Sequence, residues 1–420
     1  MLSQDAISAD TPLGAALVPG GVTFRVWAPL ASAVYLNGAF GGAVFESQAE
    51  DRLMIKDALG FWTGFQAGAR EGDRYRYWVE GGGSTGFKRE PTARELDAAT
   101  FPNAYAILRG ASTYPWHDAE FRAPDYSSMV VYQAHIGTFA TRTEGRSSTL
   151  LEVACLAPYL ASLGVNVLQP LPVDEQEAHP SMGYGGADLF SPDFPYVASA
   201  ADVDRLAPRI DAILAQKGLD PLPSGTLLSA PNQIKALVDL CHIHGIAVVF
   251  DVVYNHAGGF AIDNVGDDNC LYYFDRERNV GDNNDSLYFT NQDRGTGGLA
   301  FAMWKTPVRQ FLQENARWYA DDLHADGLTR SAFFCPPTRK TAGSFVANSQ
   351  RSCDHAGRAS CKTRSFGPAN SAIRPTRLCR SSRRSRQEAP VSMSCSTTIS
   401  VRRFVTRFRP CREAEAARRR

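Results

Sequence analysis

Between Ser128 and Leu328 the chain alternates short apolar runs with segments of helical period, and that alternation decides its architecture. Val130-Val131-Tyr132-Gln133-Ala134-His135-Ile136 reads as a buried strand. Leu151 to Leu163 follows, with Leu156, Leu160 and Leu163 on one helical face and Gly164 as the stop. Pro158 inside that segment predicts a kink or a late helix start. Val165-Asn166-Val167-Leu168 is the next strand. A second helix places Ile234, Leu237, Val238 and Cys241 at i, i+3, i+4 and i+7, opened by Ser229 and Pro231 and closed by Gly245. It feeds Ile246-Ala247-Val248-Val249-Phe250, the continuous apolar run of a strand covered on both faces. A third helix starts at Thr306-Pro307 and sets Val308, Phe311, Leu312, Asn315 and Tyr319 on one stripe. Such repeats build a parallel sheet with right-handed crossovers. An open doubly wound sheet and a closed (β/α)8 barrel both satisfy the periodicity.

The front of the chain has a shorter period. Val22, Phe24 and Val26 alternate with Thr23, Arg25 and Trp27, and Tyr75, Tyr77 and Val79 alternate with Arg74, Arg76 and Trp78. Aromatic and β-branched alternation, punctuated by Pro29 and Gly81-Gly82-Gly83, predicts a small β-sandwich.

The formal net charge of zero conceals a split. Residues 329–420 hold 21 Lys and Arg against four Asp and Glu, whereas residues 1–328 hold 23 against 40. Six of the nine cysteines fall in the last segment, and all Tyr and Trp precede position 320. Two kinds of sequence are joined near residue 329. The polar, acidic start from Met1 to Thr11 argues against a secretory signal, and no apolar run is long enough to span a membrane. Cys155, Cys241 and Cys270 are too sparse for a disulfide framework, which suits a cytoplasmic location. No Cys/His cluster has zinc spacing, and no glycine-rich phosphate loop is present. The Asp- and Asn-rich excursion after the third strand, about residues 257–298, reads as a functional insertion. Its stretch from Asp263 to Asp285 lacks calcium-loop spacing and reads as a solvated loop.

Four segments carry a resemblance, in order along the chain. Gly21-Val22-Thr23-Phe24-Arg25-Val26-Trp27-Ala28-Pro29 is similar to the sandwich that precedes the barrel in glucan branching enzymes and trehalohydrolases. Tyr132 to Phe139 resembles their first barrel strand. Met182-Gly183-Tyr184 with Asp188-Leu189-Phe190-Ser191-Pro192 looks like the Gly-Tyr segment after strand two. Asp251-Val252-Val253-Tyr254-Asn255-His256 resembles the Asp-x-x-x-Asn-His signature of the α-amylase superfamily, glycoside hydrolase family 13. The resemblance implies an Ig-like, carbohydrate-binding-module-like β-sandwich over residues 1–118. The first half of a (β/α)8 TIM barrel follows over 119–328, and 329–420 is a non-family tail. It implies retaining chemistry on α-1,4-glucans at the C-terminal ends of the strands, with two carboxyls about 5 Å apart.

Residue by residue, His256 matches the histidine that hydrogen-bonds the sugar beside the cleaved bond, and Tyr184 the aromatic floor beneath that sugar. Asp251 matches the aspartate that orients an arginine near the nucleophile. Asn255 matches a position that often ligates structural calcium, the one cofactor the resemblance leaves open. For each, a structural role competes: a satisfied core histidine, a rim aromatic, a turn-capping carboxylate.

The match stops after Asp326-Gly327-Leu328. The family continues with Arg, one residue, and the nucleophilic Asp; this chain has Thr329-Arg330-Ser331, and its next acidic residue is Asp354. Neither the nucleophile nor the acid glutamate is identifiable. The Arg-, Ser-, Cys- and Pro-rich tail matches out-of-frame translation of a GC-rich gene from near codon 329, and it is expected to be disordered. A basic arm on nucleic acid, through Arg377, Arg380, Arg383, Arg384 and Arg386, is the weaker reading because no aromatics interleave. The expectation is a branching-enzyme-like chain that acts on or binds α-1,4-glucan, not nucleic acid or membrane. Amylase- or trehalohydrolase-type hydrolysis is the alternative within the class, and a catalytically dead glucan-binding product the alternative outside it.

Overall fold

The structure is a computed structural model. It describes residues 1–81, 85–101, 104–110, 114–141, 144–176, 179–258, 271, 274, 287–290, 299–330 and 398–400.

The front of the chain forms the expected sandwich. One sheet runs β1 (Gly14–Val18), β2 (Gly21–Trp27), β6 (Phe61–Ala67), β5 (Ile55–Lys56). The other runs β4 (Ala43–Phe45), β3 (Ala33–Phe40), β7 (Arg74–Glu80), β8 (Gly86–Lys88), with β9 (Ala106–Ile107) also on β7. Val22, Phe24, Leu36, Tyr77 and Val79 are wholly buried between the sheets, each contributing about 1.5–3 kcal/mol of apolar burial. Phe24 meets Tyr75 edge to face at 4.9 Å. The alternation expected of β2 is incomplete, because Thr23 and Trp27 on its other face are buried as well. Trp27 and Phe61 leave the sandwich core and pack into the core of the second unit. That face is covered by protein, not water.

The second unit begins with β10 (Val131–Ala134), α1 (Ile136–Phe139), α2 (Leu150–Ala154) and α3 (Ala157–Ser162). It continues with β11 (Val167–Pro170), β12 (Asp174–Gln176), β13 (Gly186–Pro192), α4 (Ala200–Gln216), α5 (Ala230–His242) and β14 (Ala247–Val252). It ends with β15 (His256–Ala257), β16 (Phe289–Thr290), β17 (Leu299–Phe301), α6 (Thr306–Arg317) and β18 (Gly327–Arg330). β10, β11, β14 and β18 are parallel neighbours in that order, which makes a partial TIM barrel. β12 and β13 form a hairpin, and β15–β17–β16 a small sheet at the mouth.

Several sequence expectations change here. The helix read over Leu151–Leu163 is two helices: the chain breaks at Cys155-Leu156, and Pro158 sits in the first turn of α3, where its missing N–H costs nothing. Leu163 is exposed, just before Gly164 at φ +79°. β10 is not a buried strand, since Val130 and Val131 are each 52% exposed. It is the edge of the described sheet and pairs on one side only. Tyr319 lies beyond α6, in a π-helical turn over Trp318–Asp322, still buried. α4 was not anticipated. Its signals are the Ser199 cap, which accepts from the Asp202 N–H, and buried Val203, Leu206, Ile210 and Ile213, but Pro208 interrupts the pattern.

The two units are locked by charge as well as by aromatic packing. Arg89 donates from Nε and Nη2 to the two carboxylate oxygens of Asp188, at 3.1 and 3.0 Å, with both side chains buried. Ser229 makes no side-chain cap on α5; Glu95 accepts the Ala230 N–H instead, at 3.0 Å. Tyr114, which precedes the expected 118/119 division, already packs into the second unit's core.

Most of the insertion and tail lies outside the described residues, including Cys270, the Arg377–Arg386 cluster and nearly all of the Asp263–Asp285 stretch. Within the tail, Thr398–Ser400 is placed as a strand (β19) antiparallel to β18. A barrel would put a parallel strand there.

Candidate functional site

All four residues singled out in the sequence meet at the C-terminal ends of the parallel strands. Asp251 is the fifth residue of β14, whose apolar side chains are all buried. Tyr184 stands on the loop of the β12–β13 hairpin, just after Gly183 at φ +95°. A Cβ there would lie 2.8 Å from the Pro172 carbonyl, so glycine is required. The Tyr184 hydroxyl donates to Asp251 Oδ2 at 2.9 Å. His256, at the start of β15, lies 3.0 Å through Nε2 from the Tyr184 carbonyl, and its Nδ1 lies 3.2 Å from Asn255 Nδ2. Nδ1 accepts from the amide and Nε2–H donates to the carbonyl, which fixes one neutral tautomer.

This geometry alters two roles. Both nitrogens of His256 are engaged within the protein and the ring is buried, so a sugar hydroxyl would have to displace the Tyr184 carbonyl. Asn255 spends its amide N–H on His256. Among the described residues the one group of three His, Cys, Asp or Glu side chains close enough to share a metal lies elsewhere, at Glu175, His179 and Asp193. Calcium at Asn255 would have to rest on its side-chain oxygen and backbone carbonyls, because no group of three such side chains among the described residues lies beside it.

Asp251 is buried, and burial pushes its carboxyl above the ordinary range, partly opposed by the Tyr184 bond. Its Oδ1 has no hydrogen-bond partner among the described residues. Directly across the ladder, Thr329 is paired with Asp251 in register, and its buried Oγ1 is equally unpartnered. Thr329 occupies the place where the resemblance calls for arginine. The structure thus leaves a buried carboxylate oxygen and a buried hydroxyl, on residues paired in register, both without a hydrogen-bond partner among the described residues.

Three residues that the sequence reading passed over complete the mouth. His135, at the end of β10, lies 2.8 Å through Nε2 from the Ser181 carbonyl and 3.1 Å from the Tyr196 hydroxyl. Gln176 accepts from Ser181 Oγ and the Gly185 N–H at 3.1 and 2.9 Å, clamping the loop that carries Tyr184. Asp174 is buried, with its carboxyl held well above the usual range by burial and by Asp193, Asp188 and Asp251. Only the His135 position had a signal in sequence, as part of the strand-one motif.

Comparison with known proteins agrees with this architecture. Residues 12–96 match the model of carbohydrate-binding module 48, the isoamylase N-terminal domain. The chain is 28% identical over 318 residues to the 1,4-alpha-glucan branching enzyme GlgB of Salinibacter ruber, covering 73% of this chain and 44% of that protein. It is 27% identical over 321 residues to the enzyme of the same name from Bacillus subtilis, with 73% and 43% covered. It therefore spans less than half the length of these curated relatives. A Salmonella typhimurium crystal structure named for the alpha amylases superposes with a TM-score of 0.59 at 23% identity, covering 81% of this chain and 47% of that one. A pullulanase from Bacillus acidopullulyticus gives 0.55 at 21%, with 76% and 38% covered. The chain is similar to carbohydrate-binding module 48 over residues 12–96, shares the fold of these two solved structures over most of its length, and resembles the glucan branching enzymes across both regions.

Proposed function

We propose that residues 1–328 form an α-1,4-glucan site of the branching-enzyme type, and that the chain as written binds glucan without turning it over. The observation that supports this reading is the hydrogen-bonded cluster of Tyr184, Asp251 and His256 at the strand ends, on a loop held by Gln176. An aromatic ring beside a carboxylate and an imidazole suits a pyranose, which offers an apolar face and a rim of hydroxyls. Retaining cleavage needs a nucleophilic and an acidic carboxyl. Thr329-Arg330-Ser331 supplies neither, and groups that act as a unit cannot be lost singly without a drop of several orders of magnitude.

The test is iodine staining of amylose incubated with purified protein, run beside mobility on a starch-containing gel. Retarded migration with unchanged stain supports binding alone. A falling stain shows turnover and overturns the inactive reading, leaving branching and hydrolysis to be separated by product linkage. Unretarded migration removes the glucan assignment itself. Tyr184→Ala is expected to weaken retardation by about tenfold, the share of one stacking side chain.

Residues 329–420 we read as an out-of-frame tail. The two other frames of the gene from codon 329 provide the check: one should continue as Arg-x-Asp and further barrel strands. Neither doing so would sink the idea.

A further inference from the structure

A second polar centre lies behind the Tyr184 loop, on the same hairpin. Glu175 is wholly buried on β12 and Asp193 is buried just after β13, while His179, on the connecting loop, is 38% exposed. His179 Nε2 lies 3.4 Å from Glu175 Oε1 and 3.7 Å from Asp193 Oδ1, and one ligand atom from each of the three falls within 4.8 Å of the others. Glu175 Oε1 makes no hydrogen bond among the described residues, although its own carboxylate is anchored on the far side, where Oε2 accepts the Phe194 N–H at 2.9 Å. Asp193 Oδ1 likewise takes the Gln176 N–H at 3.3 Å. A buried carboxylate oxygen left unpaired and facing a neutral ring nitrogen is costly unless a proton or a metal cation sits between them.

We infer that Glu175, His179 and Asp193 form a binding site for one divalent transition-metal ion of the zinc type, with solvent on the exposed side as its fourth ligand. Three observations converge on this class of ion. Zn–N and Zn–O bonds of about 2.0–2.1 Å in a tetrahedron place neighbouring donors about 3.3–3.4 Å apart, close to the two separations from His179 Nε2. One imidazole nitrogen with two carboxylates favours zinc-like ions over calcium or magnesium, which take oxygen-rich shells. The Phe194 N–H holds the Glu175 carboxylate from behind through Oε2, and the Gln176 N–H fixes Asp193 through Oδ1, the oxygen that faces His179. The ion would tie His179 to the rigid hairpin. Because Gln176, between the ligands in sequence, also holds Ser181 and Gly185, it would stiffen the loop that presents Tyr184. The site itself does not depend on the glucan reading.

The test uses the full chain, stripped with chelator and with accessible thiols alkylated so that the tail's cysteines take no metal. Zinc is then titrated against a chromophoric competitor, and melting is followed with and without the ion. Wild type should bind one equivalent and melt at higher temperature when loaded. His179→Ala, a half-exposed position that leaves the fold intact, should lose at least about a hundredfold in affinity, since even outer-partner changes typically cost tenfold to hundredfold. It should also lose the melting shift, while His244→Ala changes neither. Absence of stoichiometric binding, undiminished affinity in His179→Ala, or a stronger response to calcium than to zinc would each overturn the assignment.

Discussion

β14 and β18 are neighbours in one sheet, paired from Val249↔Gly327 to Val252↔Arg330, yet they differ in what they complete. β14 carries its motif through to partners: Asp251 reaches Tyr184, and the following turn delivers His256 to the same place. β18 is as well seated at its start and empty at its end. The groups that seat it come before residue 329. Asp326 Oδ2 accepts the Val248 N–H at 2.8 Å and meets His242 Nε2 at 2.9 Å, and the Asp326 N–H donates to the Val248 carbonyl. Whatever chemistry the strand would carry begins at Thr329. The contacts that seat this strand all precede residue 329, and the proposed loss of turnover rests on the residues that follow it.

The comparison breaks most visibly if the seat is removed. Asp326→Ala leaves the Val248 N–H and His242 Nε2 unpaired in a buried site, which should cost about 3–5 kcal/mol, as for a broken buried ion pair. Urea unfolding followed by tryptophan fluorescence measures it. A loss no larger than that of an exposed control such as Asp5→Ala would show that β18 is held by something else.

The same seat should respond to pH. Burial would lower the His242 pKa, but Asp118 at 2.9 Å and Asp326 outweigh it and hold it above its ordinary value. Burial would likewise raise Asp118, yet bonds from His242 and His324 hold it well below the usual range. A raised histidine stabilises fully below its unfolded pKa near 6.5 and loses that contribution as pH climbs through the folded value. A depressed aspartate stabilises above its unfolded pKa and loses that as pH falls. The stability advantage of wild type over His242→Asn should therefore shrink from about pH 6 to about pH 9. An advantage that stays flat over that range would mean His242 is neutral throughout.

The sheet was legible in sequence because its signals are local. The period of α5, Gly245 at φ +76° and the run into Phe250 name both elements without reference to the rest of the chain. Tyr184, Asp251, Asn255 and His256 were legible through a motif whose spacing the barrel imposes. What stayed hidden depends on partners distant in sequence. Arg89 meets Asp188 across 99 residues, and Glu95 caps α5 across 135. The Glu175, His179 and Asp193 group has no recognisable spacing, because a hairpin with two register shifts brings it together. The exposure of β10 was misread for a related reason: an apolar run states that a strand wants cover, not that the sheet supplies it.

At the end of the two strands a smaller effect is expected from Tyr184→Phe. It removes the side-chain hydrogen bond to Asp251 Oδ2, the bond that most opposes the effect of burial on that carboxyl. The cost should be about 1–3 kcal/mol. Because Tyr184 opposes the rise of the Asp251 pKa, the penalty should be larger at neutral pH and shrink as pH falls through the folded-state pKa of Asp251. Equal destabilisation on both sides of that pKa would place the effect in packing.

Thr329→Val sharpens the contrast from the other side. If β18 ends without its partner, the Thr329 hydroxyl is a buried donor and acceptor with nothing to bond, and it gives the fold nothing. Valine keeps the branched shape, suits a parallel strand and removes the desolvated oxygen, so the variant should be as stable as wild type or up to about 1 kcal/mol more so. Thr329→Arg tests the other half of the pair, since a guanidinium opposite Asp251 Oδ1 should lower the carboxyl's pKa and abolish the pH dependence predicted for Tyr184→Phe. A Thr329→Val protein destabilised by more than about 1 kcal/mol would mean that the hydroxyl has a partner, and that β18 is completed by a device of its own.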